Sequence, residues 1–200
     1  TFSNSCEVEF VGVWDTVSSV GWVYNPLALP FTRENPSIRV ARHALAIDER
    51  RCYFRQNLFE QAHGQDLKQV WFAGVHSDVG GGYPDADTGL ANICLWWMVD
   101  EASQHGLLFD TTRLAAARAD ARFHPDPFGP IHESLTAVWW PLELWPKRYW
   151  DWTRKAHTWH VPLGGHRYLD PQAEIHPTVS QRRAKRELKY DPPNCPLSVR

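Results

Sequence analysis

Two apolar segments of the chain each run directly into a short polar motif. Residues 7–14 are rich in β-branched and aromatic side chains, and residues 70–75 form a second, continuous apolar run. Runs of this kind are typical of strands that are buried on both faces of a parallel sheet. The first run ends at Asp15 and the second at His76. Both residues are therefore expected at the C-terminal ends of strands, which is where open α/β sheets bind their ligands.

Four other segments are predicted to be helical. Between Leu90 and Gly106 the apolar residues recur every three or four positions, which predicts a helix that the glycine closes. Residues 36–49 predict an earlier helix, residues 111–121 a short one, and the basic segment 180–189 a solvated one. Strand, helix, strand and helix in this order predict an α/β fold with a mostly parallel sheet and flanking helices.

The C-terminal part of the sequence is less regular. The proline-rich residues 124–130 are the predicted boundary, dividing the chain into 1–123 and an irregular, Trp/Pro-rich extension, 124–200. Residues 138–159 carry six of the 11 tryptophans, interspersed with prolines and basic side chains. Tryptophan suits a lid, a lipid-facing surface and an ordinary aromatic core alike, so all three interpretations stay open.

Composition narrows the class of protein. With 21 Lys and Arg against 23 Asp and Glu in 200 residues, the net charge of -2 offers no basic surface for nucleic acid. No apolar stretch approaches the roughly 20 residues that span a bilayer. The four cysteines form no CxxC pair, so no metal finger is predicted. The sequence also gives no reason to expect another metal site or a cofactor. The chain begins at Thr1 without a signal-peptide pattern. We interpret it as part of something larger, either cytoplasmic or secreted without a conventional signal.

Asp15 and His76 are the candidate catalytic residues. An aspartate that accepts a hydrogen bond from one imidazole nitrogen fixes the tautomer, and the other nitrogen can then take a proton from a nucleophile. Their order matches the last two members of a Ser…Asp…His triad. Taken alone, Asp15 also suits a turn or a helix cap. Asp78 is the alternative acid; the favoured role for it is capping the glycine-rich turn, and a metal site with His76 is less favoured because it lacks a third ligand.

Two long motifs carry a family resemblance. Residues 10–21, Phe-Val-Gly-Val-Trp-Asp-Thr-Val-Ser-Ser-Val-Gly, and residues 70–83, Val-Trp-Phe-Ala-Gly-Val-His-Ser-Asp-Val-Gly-Gly-Gly-Tyr, resemble the signature blocks of an α/β-hydrolase-like family. This bacterial and fungal family was long catalogued as a domain of unknown function and includes phospholipase effectors of the type VI secretion system. Residues 42–50 and 90–106 resemble it as well, and residues 175–183 do so more weakly.

The resemblance implies a partial α/β-hydrolase-like fold in which Asp15 and His76 match the acid and the base. The family's serine lies in a G-x-S-x-G elbow, and this sequence contains none; Ser18, Ser19 and Ser77 lack that context. The expected nucleophile therefore belongs to an N-terminal remainder of the domain. The implied activity is hydrolysis of carboxylic esters, with a lipid or small ester as substrate and with peripheral membrane contact. The alternative is a truncated or degenerate hydrolase domain that acts as a non-catalytic binding module.

Residues beside the motifs complete the predicted site. Trp14 and Thr16 flank the acid, Tyr83 ends the second block and His176 lies in the weaker match, so these four are the candidate substrate-binding residues. His176, which precedes a proline, equally suits a structural role. We expect Asp15 and His76 at the ends of neighbouring parallel strands, with a carboxylate oxygen within about 3.5 Å of a ring nitrogen.

Overall fold

A computed structural model describes residues 7–17, 21–22, 25–26, 34–151 and 153–195. The strands are β1 (Val8–Trp14), β2 (Gly21–Trp22), β3 (Asn25–Pro26), β4 (Ile38–Ala46), β5 (Asp66–Phe72), β6 (Lys147–Asp151), β7 (Ala156–His160) and β8 (Glu174–Ile175). The helices are α1 (His76–Gly80), α2 (Gly89–Gln104), α3 (Thr111–Ala119), α4 (Trp140–Glu143) and α5 (Pro177–Ala184). Within these described ranges, no helix has the length and apolar character needed to cross a bilayer.

A four-stranded sheet in the order β1-β4-β5-β8 organises the molecule, and all of its strand pairs are parallel. Buried side chains cover both faces of this sheet. On one face Ala44 and Phe72 pack against residues of α2, and on the other Leu45 and Trp71 pack against Val179 of α5. The parallel sheet with flanking helices confirms the predicted α/β class. It also brings the carboxyl ends of β1, β4 and β5 to one edge.

The predicted helix over residues 36–49 is wrong. This segment is β4, the longest strand of the sheet, and the side chains from Val40 to Ala46 are all buried. Its alanines favour a helix locally, but pairing with β1 on one side and β5 on the other satisfies the backbone on both edges. A strand buried on both faces shows no alternation, so hydrophobic period could not distinguish it from a buried helix.

The C-terminal part contributes to the same sheet and adds a hairpin. β8 pairs with β5 through Glu174 and Ile175, whereas β6 and β7 form a separate antiparallel pair. The predicted helix over 180–189 instead ends at Ala184, and its Arg182 is 5% exposed rather than solvated because it donates to backbone carbonyls of the 124–130 loop. The proposed division of the chain at that loop stays a prediction.

Candidate active site

The carboxylate of Asp15 lies over the end of β4. The backbone turns at Asp15 with a φ of 44°, a left-handed conformation that aspartate tolerates better than most residues. Its N–H donates to the carbonyl of Ala44 at 2.7 Å, and its Oδ1 accepts from the N–H of Ala46 at 2.9 Å. The side chain is fully buried. Asp15 is thus held at the centre of the sheet edge by the strand beside its own.

A tight turn after β5 presents His76 at the start of α1. Gly74 has a φ of 117°, and a Cβ there would lie 2.4 Å from the Cβ of Asp78, so no other residue fits without a shift. Its N–H donates to the carboxylate of Asp48 at 2.7 Å. Burial raises the pKa of Asp48 to about 6. Gly74 therefore directs the chain so that His76 lies at the sheet edge that carries Asp15.

Asp15 and His76 are in direct contact. The Nδ1 of His76 lies 2.7 Å from the Oδ2 of Asp15, and 28% of the histidine side chain is exposed. The expected contact is present, but the expected strand arrangement is wrong, since β4 lies between β1 and β5. The left-handed turn at Asp15 and the bond to Ala46 let the carboxylate reach across this intervening strand.

Arg167 gives Asp15 a second charged partner. The guanidinium Nη1 lies 2.5 Å from Oδ1 and Nη2 lies 2.9 Å from Oδ2, and both side chains are buried. Burial alone would raise the pKa of Asp15, but the charge of Arg167 and the hydrogen bonds from His76, Arg167 and Ala46 outweigh it. The pKa of the carboxyl therefore lies far below its usual range. As an ionised carboxylate, Asp15 can only accept, so the proton between the two side chains resides on Nδ1 of His76.

A second, buried histidine supports the loop that follows Asp15. The Nε2 of His43 accepts from the N–H of Thr16 at 3.0 Å, and Nδ1 lies 3.3 Å from the side-chain oxygen of Gln69. These partners require the neutral tautomer that carries its proton on Nδ1. Burial lowers the pKa of His43 to about 4. His43 is thus a fixed neutral support beneath the Asp15–Thr16 corner.

The other described contacts of His76 are with one ion pair and one aromatic ring. Its backbone N–H donates to the buried carboxylate of Glu49 at 3.2 Å. The Nε and Nη2 of Arg51 donate to the same carboxylate at 2.9 and 2.8 Å. Burial raises the pKa of Glu49, but the hydrogen bonds and charge of Arg51 lower it further than burial raises it. The ring of Phe54 contacts His76 edge-on at 5.0 Å, and the guanidinium of Arg51 lies 3.6 Å from the centre of that ring.

Asp78 forms a different pair. Its Oδ2 accepts from the N–H of Val75 at 2.9 Å, and so closes the first turn of α1 as a cap. Its Oδ1 lies 2.6 Å from the Nδ1 of His132, whose ring stacks on Tyr83 at 3.6 Å. Within the described residues, Asp78 makes no hydrogen bond to His76. Asp78 is thus a cap, but of the turn that precedes it rather than of the glycine-rich turn that follows, and the alternatives of acid to His76 and shared metal ligand do not fit this geometry.

The predicted substrate-binding residues occupy separate positions. Trp14 is 37% exposed at the end of β1, and the Thr16 backbone binds His43 and Asn57. His176 caps α5 and stacks on Phe72, so its contacts are structural. Ser18 and Ser19 lie outside the described residues. The roles of Trp14, Thr16, Tyr83 and His176 in binding a substrate remain predictions.

Comparison with known proteins adds the family. The family described as "T6SS, Phospholipase effector Tle1-like, catalytic domain" matches residues 1–101. The chain belongs to this family. An uncharacterized protein of Saccharomyces cerevisiae is 49% identical over 47 residues, which are 22% of this chain and 7% of that protein. The crystal structure of an uncharacterized protein from Pseudomonas aeruginosa is similar over 60% of this chain and 21% of that one, at 20% identity and a TM-score of 0.40.

The part of the chain matched by the phospholipase effector family contains Asp15 and His76 but not Arg167 or His132. Neither of these two residues could be recognised from the sequence. Each lies in an irregular segment far along the chain from its aspartate, 152 residues for Arg167 and 54 for His132, and no local pattern marks them. Among the described residues, no group of three or more His, Cys, Asp or Glu side chains is arranged to hold a metal ion.

Proposed function

We propose that this chain supplies the acid and the base of a serine hydrolase that cleaves carboxylic esters, with lipid acyl esters as the substrates. The observation that carries the proposal is the 2.7 Å contact between the ionised, buried carboxylate of Asp15 and the partly exposed ring of His76. It fixes the tautomer in which Nε2 of His76 is free to accept a proton. Membership in a family of phospholipase effector catalytic domains supports the substrate class.

In the proposed mechanism His76 takes up and releases one proton in each of two half-reactions. Nε2 takes the proton of a serine hydroxyl as the serine oxygen bonds to the ester carbonyl carbon, and Asp15 stabilises the imidazolium that forms. The imidazolium then gives the proton to the departing alkoxide as the ester C–O bond breaks. Water repeats the sequence on the acyl-enzyme, which releases the carboxylic acid and restores the serine.

The serine is proposed to come from outside these 200 residues. No G-x-S-x-G segment occurs in the sequence. Ser134 lies near the site, but its hydroxyl donates to Glu49 at 3.0 Å and its side chain is buried. Ser77 follows the base within α1, and its neighbours, Val75 and Val79, are not the glycines of a G-x-S-x-G elbow.

An aromatic path supports a lipid substrate. Phe54 contacts His76, and Trp139 contacts Phe54 edge-on at 5.5 Å. Next to Trp139, the side chain of Val138 is 83% exposed. The base is thus connected by aromatic rings to an apolar part of the surface. Such a path suits an acyl chain better than a hydrophilic substrate.

The surface beyond this path has the composition of a membrane interface. Trp159 of β7 is 71% exposed and lies opposite the exposed Arg148 of β6. Leu144 and Leu163, on the segments flanking the hairpin, are 60% and 57% exposed. Aromatic, aliphatic and basic side chains together suit the boundary of an anionic phospholipid bilayer. We therefore include peripheral membrane contact through this surface in the proposal.

The test of the hydrolase proposal uses the complete protein with a fluorophosphonate probe, which modifies activated serines. The wild type should be labelled on one serine outside this chain and should cleave both a short-chain ester and phospholipid. His76→Ala should lose labelling and both activities while remaining folded. A wild type that neither labels nor hydrolyses either ester would favour the non-catalytic binding module instead.

The membrane contact has its own test. Trp159→Ser should bind vesicles containing anionic phospholipid at least several-fold more weakly than the wild type in a sedimentation assay. Leu108→Ser is the matched control, because Leu108 is 98% exposed but lies outside this surface, in the segment before α3. Equal binding by Trp159→Ser and the wild type would contradict the membrane contact without affecting the catalytic proposal.

A further inference from the structure

Arg167 ties the proposed catalytic acid to the two segments beside it. Besides its two bonds to the carboxylate of Asp15, its Nη1 donates to the carbonyl of Ala46 at 3.1 Å and its Nη2 donates to the carbonyl of Phe54. The side chain is 4% exposed. A planar guanidinium that makes four hydrogen bonds fixes the plane of the carboxylate that it binds. Oδ2 of Asp15 is thereby held towards Nδ1 of His76.

The charges around His76 show a second effect of the same contact. Two carboxylates touch this residue, Asp15 at the imidazole and Glu49 at the backbone N–H. Each is paired with its own arginine, Asp15 with Arg167 and Glu49 with Arg51. The other described neighbour, Phe54, is uncharged. The described residues around the imidazole therefore carry no net negative charge, so a proton added at Nε2 would leave this cluster with a net positive charge in a largely buried place.

We propose that Arg167 is a positioning residue for the acid–base pair: it orients the Asp15 carboxylate and, by balancing its charge, keeps His76 neutral and able to accept a proton. This inference rests on the proposed function. It goes beyond that function because an ordinary triad requires only that the acid contact the base. Without Arg167, the charge of Asp15 would be unbalanced and protonated His76 would become the stable form at a higher pH.

The experiment measures the acid limb of the pH dependence of kcat/KM in the complete protein on a soluble short-chain ester. Arg167→Met should move this limb to higher pH by about one to three units, the usual size of a nearby charge effect. Arg167→Lys keeps the charge and loses the bidentate grip, so its limb should stay near that of the wild type while kcat falls. An unmoved limb in Arg167→Met, or an equal displacement in both variants, would overturn the proposal.

A control and a second readout keep the test decisive. Arg182→Met removes another buried arginine, which donates to the carbonyls of Pro127 and Gly129 and has no described contact with Asp15 or His76, so it should lower stability without moving the limb. The NMR titration midpoint of the His76 ring should shift upward in Arg167→Met and not in Arg182→Met. This midpoint needs no hydrolysis, so it tests Arg167 even if the proposed function fails. If Arg167→Met does not fold, Arg167→Gln, which also removes the charge, replaces it in both measurements.

Discussion

Two aspartate–histidine pairs each have one member in α1, and the contacts within the two pairs are similar. Asp15–His76 and Asp78–His132 have N–O distances of 2.7 and 2.6 Å, the aspartates are 0% and 1% exposed, and the histidines are 28% and 24% exposed. The surroundings differ. The carboxylate of Asp15 also receives a bidentate arginine, whereas that of Asp78 receives the backbone N–H groups of Val75 and His132.

The difference shows that an aspartate–histidine contact does not by itself identify a catalytic base. Asp78 uses its oxygens to close a turn and to hold a loop, and the ring of His132 is covered on one face by Tyr83. In the described part of the chain the side chain of Asp15 closes no turn, and the aromatic contact of the His76 ring is with the edge of Phe54. These contacts support the proposed proton-transfer role of the first pair and a role in local structure for the second.

The largest expected effect separates the two histidines. In the complete protein, His76→Ala should lower kcat/KM for ester hydrolysis by about four orders of magnitude or more, because the residual rate comes from binding and the oxyanion hole alone. Its melting temperature should change little, since Asp15 keeps Arg167 and Ala46 as partners. The matched variant His132→Ala should lose less than about tenfold. Equal losses in the two folded variants would end the distinction between the pairs.

The next largest effect is expected for the acid. Asp15→Asn should lower kcat about as far as a triad acid replaced by its amide does, roughly 10⁴-fold, because the amide stabilises the wrong tautomer of His76. It should also lower the free energy of unfolding by about 3–5 kcal/mol, since Arg167 is left as a buried, unpaired charge. Single-turnover assays and urea unfolding measure the two effects separately. A variant with normal activity would contradict the role of Asp15.

His43, which lies beneath the Asp15–Thr16 corner, should make the free energy of unfolding depend on pH. The pKa of His43 is lowered to about 4 by burial, so between about pH 6.5 and pH 4 the unfolded chain binds more protons than the folded one. The contribution of neutral His43 to the free energy of unfolding is therefore complete above about pH 6.5 and is lost as the pH falls through this window, by about 3 kcal/mol in all. His43→Gln, which can keep the bond to Thr16, should remove that loss. Identical pH profiles of the unfolding free energy in both proteins would contradict it.

Much of the sheet could be predicted from sequence because its strands are apolar and end in polar residues. The apolar runs predict β1 and β5, and the helical spacing of apolar residues predicts α2. The pattern of β4, in contrast, is that of a helix. The apolar face of α2 repeats every three or four residues, so its type is visible locally. β4 is buried on both faces and contains Arg42 and His43, so only its position between two other strands decides its type.

The residues of the candidate site also fall into those that the sequence predicts and those that it does not. Asp15 directly follows β1 and His76 follows the turn after β5, each within a recognisable motif, so their proximity could be expected from parallel topology. Arg167 and His132 lie in irregular segments and come to the site only through tertiary packing. A buried arginine and an exposed one look the same in sequence, so its partner could not be predicted.

The smallest effect should sharpen the role of the second pair. Asp78→Asn keeps one oxygen acceptor but loses the charge that binds the N–H of Val75 and the ring of His132. We expect a loss of about 1–3 kcal/mol in the free energy of unfolding, because buried donors lose a charged partner. Activity, measured far below the melting temperature, should fall only in parallel with the folded fraction. A loss of activity as large as that of Asp15→Asn, in a fully folded protein, would instead make Asp78 part of the proton-transfer machinery.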